Sequence, residues 1–168
     1  DLEIGNENGV QQWVGLRFQD VAIPSGSTIN SATVRFTGTE TDVGNLVIPI
    51  RGELSLDAEE FADETPLTGR DLTKSTVMWD IDPWFPGDSG PNTTTVDLSS
   101  IVQEIIDQDG WPTGGPMVFL VQNDPLDTSE RLAVSFDGNP AQAAELVIDF
   151  TPPGMVLVGD VNLDGLVN

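Results

Sequence analysis

The sequence predicts an all-β protein, a jelly-roll β-sandwich of about eight or nine antiparallel strands with one short α-helix near residues 99–109. Apolar and polar residues alternate with a period of two through most of the chain, as they do in strands with one buried face. Clusters of Pro, Gly, Ser, Asn and Asp separate these runs, and a single stretch carries apolar residues at helical spacing.

In chain order, Asp1-Leu2-Glu3-Ile4-Gly5 already reads as strand, as the start of a processed mature chain would. Val14, Leu16 and Phe18 then share one face of a strand, and Trp13, Gly15 and Arg17 share the other. After the turn Ile23-Pro24-Ser25-Gly26-Ser27, Ala32, Val34 and Phe36 alternate with Thr33, Arg35 and Thr37. Leu46, Ile48 and Ile50 repeat the pattern across Pro49, a residue expected on an edge strand. Asp57 to Arg70 is acidic and irregular and reads as a charged, exposed face; Thr76 to Trp79 restores a short strand with Trp79 in the core. The following loop, Asp80 to Pro91, is too rich in Pro and Gly to continue a ladder.

The expected helix buries Ile101, Val102, Ile105 and Ile106, starts on a Ser100/Gln103 capping box and stops at Gly110. Met117 to Val121 is apolar on both faces and therefore central. Leu132, Val134 and Phe136, then Leu146, Ile148 and Phe150, supply the last inward faces. A Thr-Pro-Pro-Gly linker follows, which divides the chain into a sandwich domain over 1–151 and an appendage over 152–168.

Composition narrows the chemistry. Twenty-eight acidic against 6 basic residues give a net charge of −22, which repels nucleic acid and attracts divalent cations. Without His or Cys, imidazole and thiolate catalysis and the usual zinc sites are excluded. Glycoside hydrolysis needs only two carboxylates, but nothing in the sequence selects a pair, so no enzymatic activity is expected. No apolar run approaches the ~18 residues of a membrane span, and no membrane insertion is expected.

The most specific local pattern closes the chain. In Gly159-Asp160-Val161-Asn162-Leu163-Asp164-Gly165-Leu166-Val167-Asn168, oxygen ligands Asp160, Asn162 and Asp164 occupy the first, third and fifth positions of an EF-hand loop. Gly165 sits at the sharp turn, Leu166 offers its carbonyl and Asn168 takes the ninth position, so Ca2+ is the expected cofactor. The segment resembles the first calcium repeat of a dockerin, whose partner in related systems is a cohesin. The loop stops short of its twelfth-position acid, so cohesin is not the partner expected for this stretch.

Other candidates are weaker. Asp80, Asp82 and Asp88 in one loop, and Asn123, Asp124 and Asp127 in another, carry oxygens suited to further calcium or to plain solvation. Trp84, Phe85 and Trp111 lie beside Pro and Gly in loops, where flat aromatic faces either stack on sugar rings or anchor the loop. Asn92-Thr93-Thr94 has the pattern of a glycosylation acceptor. Met155-Val156-Leu157-Val158 is an apolar strand with no evident partner, able to pack on its own domain or to join a neighbour's open sheet edge.

Val14-Gly15-Leu16-Arg17-Phe18, the turn at Ile23 to Ile29, Ser31 to Phe36, Val96 to Glu104, Met117 to Val121, Val134-Ser135-Phe136 and Glu145 to Phe150 together resemble the DNRLRE family of disaggregatase-related domains over about residues 13–150. That resemblance implies a jelly-roll sandwich in a secreted, non-catalytic companion module, with polysaccharide as the ligand of some relatives. The expected function is therefore an extracellular, carbohydrate-binding or adhesive, calcium-associated module. The alternative is a self-assembling subunit of an extracellular filament or matrix, whose partners are other copies of the chain.

Overall fold

Met117 to Val121 is apolar throughout because both of its faces are covered. The computed structural model describes residues 1–7, 10–62, 67–122 and 129–154. Among them run β1 (Leu2–Glu7), β2 (Val10–Gln11), β3 (Trp13–Val21), β4 (Thr28–Arg35), β5 (Val47–Gly52), β6 (Val77–Asp80), α1 (Ser99–Ile106), β7 (Gly115–Gln122), β8 (Glu130–Ala133) and β9 (Glu145–Thr151). One antiparallel sheet has the order β3-β7-β5-β6. Facing it are a three-stranded sheet, β2-β1-β8, and the pair β4-β9. The backbone just past β4 joins these two, since the Thr39 N–H donates to the Leu132 carbonyl and the Val134 N–H to that of Thr37, both at 2.9 Å. The class is all-β and sandwich-like, as the sequence predicts.

The inward residues of β3, β4 and β5 are those the alternation selects: Val14 and Leu16, Ala32 and Val34, and Ile48 and Ile50 are all buried, as is Leu46 just before β5. From β7, Met117, Phe119 and Val121 enter the same core, while Val118 and Leu120 pack on the opposite side against Ala58, Leu67 and Leu72. The acidic stretch after Asp57 is therefore a cover as well as a charged surface. Asp57, Glu59 and Glu60 face solvent, but Ala58 between them is buried. An outer strand face as apolar as that of β7 requires such a lid.

Helix α1 closes the core with Ile101, Val102, Ile105 and Ile106. Gly52 of β5 makes room for it, because a Cβ there would lie 2.5 Å from Ile105 Cδ1 and 2.8 Å from Ile101 Cγ2. The helix ends at Ile106, three residues before the expected limit, and the expected capping box is absent. Asp97 does that work instead: its carboxylate accepts from the Ser99 N–H at 3.1 Å and the Ser99 hydroxyl at 2.6 Å, and from the Ala32 N–H at 2.9 Å. Gln103 is committed elsewhere, accepting from the Ile29 N–H and donating to the Ser27 carbonyl.

Two further expectations are corrected. Pro49 lies on an internal strand, since β5 sits between β7 and β6. It falls one residue past the end of the β5–β7 ladder at Ile50↔Val121, where its missing N–H interrupts nothing. In β8 the inward positions are Arg131 and Ala133; Leu132 is only half-buried, and Phe136, placed in the core by its spacing, lies beyond the strand and is 70% exposed. Arg131 tolerates complete burial because its guanidinium donates to the carbonyls of Gly44, Ile81, Asp82 and Glu130, tying β8 to two loops.

Candidate functional site

The outer face of β3 carries the arrangement best suited to a ligand. Trp13, Gly15 and Arg17 point away from the core, and the lid segment crosses them. Gly15 leaves room for the crossing, since a Cβ there would push against the side-chain ends of Leu67 and Phe61. The Arg17 Nε donates to the Ala58 carbonyl at 2.9 Å and its guanidinium lies 3.8 Å from Glu60, which pins the lid to the strand. The Arg70 guanidinium sits 4.9 Å from the centroid of the Phe61 ring, pairs with Glu53 and donates to the Glu59 and Glu60 carbonyls. Phe61 is thus held from its underside while 37% of it stays exposed.

Between half-buried Trp13 and Phe61 lies an open groove of about 330 Å³, bordered by Leu67 on the apolar side and by Asp1, Glu3 and Gln12 on the polar side. Aromatic faces flanked by carboxylates and an amide suit a sugar ring, whose apolar face packs on carbon while its hydroxyls donate to oxygen. The alternation places Trp13 on the outer face of its strand and assigns it no ligand. The signal available was Gly15, a small residue beside Trp13 on an exposed strand face, where something must pass close overhead.

The aromatics singled out in the loops lie elsewhere. Trp84 is 0% exposed, packs against Phe36 and Trp79 with centroids 5.8 and 6.1 Å away, and donates its Nε1–H to the Asn92 carbonyl at 3.0 Å. Trp111 is buried and donates its Nε1–H to the Ile23 carbonyl. Both rings are spent on the core, so neither offers a face to a sugar. A tryptophan gains more from burying its area and pairing its one donor than a loop gains from displaying it. Trp79 is in the core, as expected. Phe85 alone of the three predicted loop aromatics remains exposed.

Of the predicted oxygen ligands, Asp80, Asp82 and Asp88 lie among the described residues, and they form no cluster there. Asp88 closes a turn, accepting from the Phe85 N–H at 3.0 Å and the Asn92 side-chain amide at 2.7 Å, and Asp80 and Asp82 face solvent. Among the described residues, no three carboxylates gather as a metal site would require. Asn92 also donates to the Pro83 carbonyl, so its glycosylation pattern falls on an amide engaged in the fold. Asn123, Asp124, Asp127, the loop ligands Asp160, Asn162, Asp164, Leu166 and Asn168, and Met155, Val156, Leu157 and Val158 lie outside the described residues.

Among the described residues, the carboxyl groups of Asp97 and Glu104 have lowered pKa values. At Asp97 burial pushes the value up, but the Ser99 hydroxyl and the Ala32 and Ser99 N–H groups together outweigh it. At Glu104 the Lys74 and Ser75 N–H groups hold the carboxylate ionised. Both acids fasten α1 to its surroundings. A general acid needs the opposite shift. No family model matches this chain, and no curated protein matches it.

Proposed function

We propose that this chain is a non-catalytic extracellular module, carbohydrate-binding or adhesive and associated with calcium. The observation that carries the reading is the groove in which Trp13 and Phe61 flank a cleft edged by Asp1, Glu3 and Gln12. Its size suits one or two rings of a neutral glycan, because the lining carboxylates repel an acidic one. The resemblance of the sequence to DNRLRE domains supports the same reading. Calcium enters through the sequence spacing of Asp160, Asn162 and Asp164. A glycan array probed with and without calcium tests the proposal: binding to neutral polysaccharides is expected, and no binding in either condition overturns it.

A second reading, a self-assembling subunit, is favoured by β9. Its core-facing Leu146, Ile148 and Phe150 are only partly buried, and Val147 on the outer face is 42% exposed. Among the described residues β9 pairs with β4 alone. Such an edge accepts an added strand, and the uncharged Met155 to Val158 of a neighbouring copy has the length and polarity to supply one. Electron microscopy of the protein in calcium, with and without residues 155–168, tests this reading. Filaments that require the tail are expected, and a monodisperse monomer contradicts it.

A further inference from the structure

At the mouth between the two layers, a pocket of about 500 Å³ is floored by Phe18 and Leu146 and rimmed by Arg35, Glu145, Gln142 and Ser89. Its arginine differs from the other arginines described. Arg17, Arg51, Arg70 and Arg131 all donate hydrogen bonds within the fold. Arg35 donates none among the described residues, and its one ion pair is with Glu145 at 3.8 Å. The two side chains are 44% and 63% exposed. An exposed pair at that distance contributes little and separates at small cost.

We propose that this pocket binds a small amphiphilic zwitterion, an α-amino acid with an apolar side chain. The Arg35 fork receives the carboxylate in bidentate fashion, Glu145 receives the ammonium, and the side chain rests on Phe18 and Leu146. Two facts select a zwitterion over a simple anion. A lone carboxylate at Arg35 meets Glu145 beside it, and the field of a chain with net charge −22 opposes any net-anionic ligand. A ligand bearing both charges is neutral overall and satisfies both partners. The pocket is separate from the Trp13 groove and stands or falls independently of the carbohydrate reading.

The test is a chemical-shift titration of the whole chain with leucine, 3-methylbutylamine and 4-methylpentanoate, the two analogues each lacking one charge. Leucine is expected to saturate and to shift Phe18, Arg35 and the 140–146 loop, with each analogue at least about tenfold weaker. Arg35→Gln and Glu145→Gln are each expected to weaken leucine by a similar factor while leaving the melting temperature unchanged. Trp13→Ala is expected to have no effect on it. No saturable shift with leucine to ~10 mM, or binding of either analogue as tight as leucine's, overturns the proposal.

Discussion

Replacing Trp84 by alanine separates a core tryptophan from a ligand-stacking one. The ring is fully buried against Phe36 and Trp79, and its Nε1–H satisfies the Asn92 carbonyl. Truncating a buried aromatic of this kind costs about 3–5 kcal/mol through lost transfer free energy and residual cavity. The unpaired Asn92 carbonyl adds about 1 kcal/mol or more. At roughly 2–4 °C per kcal/mol for a chain of this length, the melting temperature should fall by about 8–24 °C. Trp84→Phe keeps most of the packing and loses the hydrogen bond, and should fall by less than half as much. Thermal unfolding followed by circular dichroism reads both. A Trp84→Ala protein melting within about 2 °C of the parent would refute the assignment of this ring to the core.

Other expectations follow from the same contacts. Arg131→Ala leaves the carbonyls of Gly44, Ile81, Asp82 and Glu130 without their donor, and urea unfolding should show a loss of about 3–5 kcal/mol. Gly52→Ala drives a methyl group into Ile101 and Ile105 and should cost about 1–3 kcal/mol on the same assay. Asp97 and Glu104 have folded pKa values below their unfolded ones, so their contribution is complete above the unfolded values and fades as pH falls through the folded ones. The stability gap between the parent and an Asp97→Asn/Glu104→Gln double variant should therefore be constant near neutrality and shrink below pH of about 4. A gap that widens on acidification would contradict the assignment.

Much of the framework is legible in the sequence where burial is one-sided. In β3, β4 and β5, apolar spacing and the buried face coincide because the opposite face is exposed or only half-covered. The spacing misleads at β8, where Leu132, Val134 and Phe136 outrank Arg131 and Ala133 in hydrophobicity. Burying Arg131 depends on carbonyls from segments distant in sequence, which no local pattern reports. The loop tryptophans fail for a related reason. Flanking Pro and Gly mark a loop correctly, but the direction of a side chain is set by what packs over it, here Phe36 and Trp79 above Trp84. The groove is a tertiary object of the same kind, since Trp13 and Phe61 border one groove only because the lid crosses Gly15.

Trp13 is half-buried, whereas Trp79, Trp84 and Trp111 are 2%, 0% and 3% exposed, so intrinsic fluorescence offers a direct reading of the groove. Titrating a neutral oligosaccharide identified on the array into the parent protein should shift the tryptophan emission and saturate. With Trp13→Phe the emission change should vanish, and with Trp13→Ala the affinity itself should fall by about tenfold or more. A Trp13→Ala variant that binds the same glycan as tightly as the parent would contradict the assignment of the site.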